Sequence, residues 1–177
     1  MKTLKSIFFM TSFLLANFFF GQEGLTNIEV KAGTIEPVIQ QVKGQTASQQ
    51  FMKVKEWINY NNKNADEVIG SLVENEFIRF TGVSPNFSET AGYNYDLEYT
   101  IKIDFKEDRY RLTVEQLRSG VNGIFADFNL GDYYKANGEP RPLYSNFTTG
   151  IDKTLNDLNT SLFNFIIGKS EELNDDW

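Results

Sequence analysis

From Tyr93 to Lys106 the chain alternates without a fault. Tyr93, Tyr95, Leu97, Tyr99, Ile101, Ile103 and Phe105 fall on one side, and Asn94, Asp96, Glu98, Thr100, Lys102, Asp104 and Lys106 on the other. A period of two sustained this long belongs to a strand with one buried face. The next stretch alternates too, with Tyr110, Leu112 and Val114 inward and Arg109, Arg111, Thr113 and Glu115 outward. A turn centred on Glu107-Asp108 sets Phe105 opposite Tyr110, Ile103 opposite Leu112 and Ile101 opposite Val114, so that every inward side chain meets another. The same register places Asp104 opposite Arg111 on the outer face. Because Glu-Asp is poorly suited to the positive φ angles of a type I′ turn, a four-residue loop built on a type I turn is expected.

The remaining elements follow from period and punctuation. Ile35 to Val42 reads as a strand that Pro37 confines to an edge or to a short length. Thr46 followed by Gln49 is a capping-box spacing, and Ala47, Phe51, Val54 and Ile58, with Trp57 beside them, recur at helical spacing, which predicts a helix over 47–61. Val68–Val73 and Phe77–Val83 flank the polar turn Glu74-Asn75-Glu76 as a hairpin, ended by Ser84-Pro85-Asn86 and a loop to Gly92. Between Ser119 and Gly150 the pattern dissolves into an aromatic-rich loop, 119–149. A second helix is predicted over 150–167, with Thr149 and Asp152 at its start, Ile151, Leu155, Leu158, Leu162 and Phe165 as its apolar stripe, and Gly168 as its cap. An acidic tail, 169–177, closes the chain. A sheet with one charged face needs cover on the other, so the fold class expected is α+β: an antiparallel sheet of about five strands covered on one face by two helices, a two-layer sandwich.

Residues 1–21 stand apart. Lys2 and Lys5 precede an apolar run, Ile7–Phe20, of about 14 residues, which suits an export leader and is too short to span a bilayer. Cleavage after Gly21 is expected, leaving 22–177 as a single domain, exported to the periplasm or beyond, with no membrane span and a monomeric state. The chain holds no cysteine, so disulfides, thiolate chemistry and a cysteine-borne lipid anchor are excluded. Its net charge is −7, and becomes −9 once Lys2 and Lys5 leave with the leader. Such a body repels phosphate, and no basic face offsets it, so nucleic acid is not an expected partner.

Several short motifs resemble a domain-of-unknown-function family with a TATA-binding-protein-like (TBP-like) fold, found in secreted proteins of Bacteroidota. They are Lys55-Glu56-Trp57 in the first helix, Ala65-Asp66-Glu67-Val68-Ile69 opening the second strand, the pair Thr81-Gly82, Asp108-Arg109-Tyr110-Arg111 in the hairpin, and the terminal Asp175-Asp176-Trp177. The family-like core covers about 34–117. The resemblance implies a helix-backed antiparallel sheet and no known activity. The turn at Glu74–Glu76 departs from the family in being shorter and lacking a glycine. Nucleic-acid binding does not carry over with the fold, since no residue correspondence supports it and the charge opposes it.

The candidate chemistry is narrow. Without histidine or cysteine there is no Ser-His-Asp or Cys-His nucleophile, no histidine base and no ordinary zinc site. A carboxylate-dependent hydrolase needs two acids facing across a cleft with one pKa raised, whereas the acids here fall on outward strand positions, in turns and in the tail; it is the last-ranked reading. Asp127, Asn129, Gly131 and Asp132 approach a calcium-loop spacing, but the glycine comes one place early and Gly138 stands where a bidentate carboxylate belongs, so a polar turn is the better reading. Neither metal nor cofactor is expected. Trp57 and inward tyrosines such as Tyr99 would line any space between sheet and helices, the basis for an alternative function as carrier of a small apolar ligand, although filling the core is their simpler role. Phe125, Phe128, Tyr133 and Tyr134 form either a surface for a protein or glycan partner or a lid over one end of the sheet. Arg109, near the turn and without an assigned opposite charge, completes the candidates. The leading expectation is a non-enzymatic binding or interaction module. N-terminal sequencing of the exported protein is expected to begin at Gln22; a mature chain beginning at Met1 contradicts the leader.

Overall fold

The computed structural model describes residues 24–62, 64–90 and 92–169. The leader-like segment and nearly all of the acidic tail lie outside them. Two short strands, β1 (Val30–Lys31) and β2 (Thr34–Ile35), form a small hairpin, followed by β3 (Val38–Gln41), α1 (Ala47–Asn61) and the single turn α2 (Ala65–Val68). Then come β4 (Ile69–Val73), β5 (Phe77–Thr90), β6 (Tyr93–Lys106), β7 (Arg109–Val121), β8 (Ile124–Asp127) and α3 (Ser145–Ile166), with 3₁₀ turns at Leu130–Tyr133 and Pro142–Tyr144 leading into α3. Among the described residues six strands make one antiparallel sheet, in the order β3-β7-β6-β5-β4, with β8 paired to the far half of β7. That is one strand more than the pattern predicts, in the α+β two-layer arrangement expected.

The register of the central hairpin is the predicted one: Phe105 faces Tyr110, Ile103 faces Leu112, Ile101 faces Val114 and Asp104 faces Arg111. Inward residues of the sheet (Ile78, Phe80, Leu97, Ile101, Ile103, Phe105, Leu112) bury against Phe51, Val54 and Ile58 of α1 and against Ile151, Leu155, Leu162 and Ile166 of α3. The outer face carries a ladder of charges, Arg79 with Glu115 (2.6 Å), Asp104 with Lys102 (2.6 Å) and Arg111 (2.9 Å), and Glu98 with Arg118 (2.6 Å). Tyr93 is the exception on the inward side, 61 % exposed at the strand's start.

α1 spans the predicted residues because its start is chemically marked. Thr46 Oγ1 accepts the Gln49 N–H (3.2 Å) and Gln49 Oε1 accepts the Thr46 N–H (2.8 Å), which satisfies two of the donors a helix start leaves open.

Several boundaries differ from expectation, most for a nonlocal reason; the strand expected over 35–42 is divided at Pro37 into β2 and β3, and Ala65–Val68 forms a helical turn before β4 instead of opening it. The turn at Glu107-Asp108 has two residues, with Asp108 at φ 61°. The loop after β3 holds it there: Asp108 donates its N–H to the Gln45 carbonyl (3.0 Å), its carbonyl accepts the Val42 N–H (2.8 Å) and its Oδ1 accepts the Gly44 N–H (2.6 Å). β5 does not stop at Ser84-Pro85-Asn86 but continues to Thr90, absorbing the proline in an irregularity between Ser84 and Ser88. β7 runs to Val121 and turns through Asn122 (φ 53°) and Gly123 (φ 78°), a type I′ pair, into β8, so the expected loop opens with a hairpin. α3 starts at Ser145, five residues before the expected start at 150. Gly150 is inside the helix because a Cβ there would lie 2.3 Å from the Phe87 carbonyl oxygen; it permits close helix–strand approach and is no break. At Glu74–Glu76, Asn75 adopts φ 62°, taking the left-handed place for which a glycine was missed.

A buried polar set, which period and spacing do not announce, ties the N-terminal segment to this frame. Gln40 Nε2 donates to the Thr26 carbonyl (2.6 Å) and to Asn159 Oδ1 (3.0 Å), the Thr26 N–H donates to Gln40 Oε1 (2.9 Å), and Asn156 exchanges two bonds with the main chain of Ile28. Two side-chain amides thus serve residues 26–28 as a neighbouring strand would.

Two outcomes test these assignments. Leu112→Ala, at a fully buried site, is expected to cost roughly 2 to 5 kcal/mol in denaturant unfolding, and Arg111→Gln, on the outer ladder, less than about 1 kcal/mol. Burial pushes the Asp104 carboxyl up, but hydrogen bonds and charge from Lys102 and Arg111 outweigh it and hold the group below its ordinary value. Its stabilisation is therefore fully present above the unfolded value near about 4 and lost as pH falls through the lower folded one. Asp104→Asn is expected to remove that part of the acid-range loss of stability in pH-dependent melts.

Candidate functional site

The strands outrun the helix that covers them. α1 ends at Asn61, above Trp57 and Phe80, while β5 and β6 continue. Past that end the inner face is floored by Gly82 and Tyr99, which stand directly opposite each other across the two strands. A Cβ on Gly82 would lie 2.5 Å from the Tyr99 hydroxyl, so the ring lies across the glycine in the space a side chain would take. α3 walls the other side with Leu158.

The result is an open groove in two continuous parts that share Val83, Tyr99 and Leu158. One, about 260 Å³, is lined by Trp57, Phe80, Asn61, Asn62 and Ser161. The other, about 470 Å³, runs between Ser84–Phe87 of β5 and Gly150, Lys153, Thr154 and Asp157 of α3. Trp57 is only 5 % exposed, packs edge-on against Phe80 at 5.9 Å and donates its indole N–H to Ser161 Oγ (3.1 Å). Asn61 and Asn62 donate their amides back to the Trp57 and Ile58 carbonyls, each at 2.8 Å, which leaves the side-chain oxygens as acceptors. Burial raises the Tyr99 phenol above its ordinary value, so it is a neutral O–H group throughout the physiological range. Val83 borders the groove between Gly82 and Ser84, but stands opposite Glu98 with its side chain on the outer face, 49 % exposed. The space beside Trp57 is this groove, open to solvent, and not a closed chamber between the layers.

The other residues singled out from sequence lie elsewhere. Phe128 and Tyr133 enter a ring cluster around Phe147, where Tyr133 stacks at 4.6 Å, Phe87 meets Phe147 edge-on at 4.9 Å and Phe128 at 5.3 Å. Tyr144 and Tyr95 complete it. Tyr134 is buried, with its phenol pushed up by burial and by Asp152. Phe125 is half-buried on β8, its ring set against Gly120. Phe128 and Tyr133 therefore belong to a cap over one end of the sheet, whereas Phe125 packs on Gly120 of β7 and Tyr134 is buried apart from the ring cluster. Arg109 is on the outer face, in the last rung of the β6–β7 hairpin. So Trp57 and Tyr99 share a site, and the rest do not join it. Val83, Leu158, Asn61 and Asn62 carry no sequence signal for it, because the groove is defined by where α1 stops.

The calcium-like spacing resolves into turn chemistry. Asn129 Oδ1 accepts the Gly131 N–H (3.1 Å), its amide donates to Asp132 (3.2 Å), and Asp127 accepts from Gln116 (3.0 Å) and pairs with Arg118 (3.4 Å). Among the described residues no group of three or more acidic side chains is placed to hold a metal ion. Among the described residues the two carboxyl groups that depart clearly from their ordinary pKa, Asp104 and Glu139, are both lowered, Glu139 by its hydrogen bonds to Lys135 and Asn137. No helix among the described residues is long and apolar enough to cross a membrane.

No family profile and no curated protein sequence matches the chain. In shape it is similar to a TBP-like protein from Parabacteroides distasonis ATCC 8503, with a TM-score of 0.59 and 10% identity over 74% of this chain and 90% of that one. It is also similar to a DUF4468 family protein from Bacteroides ovatus ATCC 8483, with a TM-score of 0.55 and 13% identity over 80% of this chain and 89% of that one. At these identities the likeness establishes the fold, which is TBP-like, in solved proteins from the group of bacteria to which the sequence motifs pointed. Gly82→Ala is expected to drive the Tyr99 ring off the groove floor at a cost of about 1 to 3 kcal/mol, measured by thermal or denaturant unfolding; a neutral substitution contradicts the close packing described.

Proposed function

We propose that this TBP-like chain is a non-enzymatic binding module of the exported fraction, and that it takes its partner in the groove over Tyr99. The observation that carries this reading is the groove itself, a length of inner sheet face left open by α1 and floored by an aromatic ring. Its walls combine apolar side chains (Phe80, Phe87, Leu158) with amide and hydroxyl groups (Asn61, Asn62, Ser161) and the Lys153–Asp157 pair. An open groove with such walls suits an extended peptide or glycan, whose polar groups need partners along their length. A small apolar ligand is better served by a closed chamber, and the opening of the Trp57 space to solvent tells against a carrier. Lowered carboxyl pKa values at Asp104 and Glu139 do not favour an acid catalyst. Export rests on the leader-like residues 1–21, outside the described part, and the net charge of −7 disfavours nucleic acid.

Peptide and glycan arrays probed with the mature protein and with Thr154→Trp test the proposal. Thr154 is half-buried on the α3 wall of the groove, so the larger ring fills the groove without entering the core. The wild type is expected to bind members of one class, and the variant to lose at least about tenfold in affinity, near 1.4 kcal/mol, with an unchanged melting temperature. Equal binding by the two proteins contradicts the groove as the site.

A further inference from the structure

Lys106 and Arg109 stand directly opposite each other in the last rung of the β6–β7 hairpin, both exposed on the outer face. Like charges in that position repel. The next rung sets Arg111 between Ile39 of β3 and Asp104 of β6. Asp104 is already shared by Lys102 (2.6 Å) and Arg111 (2.9 Å), and among the described residues no ion pair reaches Lys106 or Arg109. Glu107 and Asp108 make the turn, but Asp108 is engaged on its other side by the Gly44 N–H (2.6 Å). Four cations thus gather around one carboxylate on a chain that is otherwise acidic. The rungs are not flat: Ile39, Asp104, Lys106, Arg109, Tyr110 and Arg111 enclose a concavity of about 210 Å³. Ile39, 48 % exposed, gives it an apolar wall.

We propose that this concavity is a second binding site, distinct from the groove and on the opposite face of the sheet, for an oxyanion group on an organic ligand: a carboxylate, a sulfate or a phosphate ester. An anion between Lys106 and Arg109 turns their mutual repulsion into attraction to a common partner. The planar guanidinium of Arg109 matches an oxyanion with two parallel N–H donors. At about 30 Å³ per water the space holds roughly seven waters, the size of one charged head group and not of a polymer. The overall negative charge does not forbid it, since fields beyond about 8 Å are screened at physiological salt.

The test uses the mature chain at fixed ionic strength, with sodium chloride as the balance, titrated with sodium phosphate, sodium sulfate or sodium hexanoate. At least one is expected to raise the melting temperature saturably and to shift the Arg109 side-chain NMR resonance; which of them does so identifies the head group. Arg109→Gln is expected to weaken that binding at least about tenfold. Arg109→Glu, which makes the rung an opposite-charge pair, is expected to raise the melting temperature by about 1 to 3 °C without any added anion and to abolish the response to it. No saturable effect beyond the chloride control, or an effect that survives in Arg109→Gln, overturns the site.

Discussion

A helix advances about 1.5 Å per residue and a strand about 3.3 Å, and this difference shapes the molecule. α1 and β6 have nearly the same number of residues, 15 and 14, yet α1 is about 22 Å long and β6 about 46 Å. One such helix cannot roof two such strands. α3, with 22 residues, crosses more of the sheet, and the rings around Phe147 close its far end. Between those rings and the end of α1 the roof is incomplete, and there Tyr99 folds over Gly82 and floors a groove. The groove is thus a consequence of covering long strands with short helices.

The same sheet keeps its two faces chemically distinct. Inward, apolar side chains of β5, β6 and β7 interlock with both helices. Outward, charges pair along and across neighbouring strands, each pair at least partly open to solvent and individually weak, so that they set register and solubility more than stability. The ladder is balanced along most of its length and fails to balance at the hairpin end, where Lys106 meets Arg109. Sheet edges are blunted by familiar means. β3 has four residues and follows Pro37, β4 has five and carries a register shift, and Pro85 interrupts β5 where β4 no longer covers it.

What could be read from the residues was what local chemistry decides. The period of β6, its register with β7 and the capping box of α1 each depend on neighbours in the chain, and they were legible to the residue. Pro85-Asn86 looks like an end, and only the pairing of Thr90 with Tyr93 keeps β5 going. Gly150 looks like a boundary, and only the nearness of Phe87 explains it. Gln40 meets Asn159 across 119 positions, a partnership that no window reveals. Asn122-Gly123 is the exception, a local hairpin signal that reads as loop punctuation among the aromatics until β8 is seen to pair with β7. For the site, Trp57 and Tyr99 were singled out as inward aromatics, but the groove is an absence of cover, which no residue type encodes.

The incomplete roof is tested most directly by probing the folded mature chain with small solutes. Phenol, isopropanol and N-methylacetamide, titrated separately while backbone amide resonances are followed by NMR, sample apolar and polar space without a known partner. The account predicts saturable shifts at Gly82, Val83 and Leu158, and none of comparable size at Phe128, Tyr133 or Phe147 in the packed cap. Shifts concentrated on the cap, with Gly82 and Val83 silent, would contradict it.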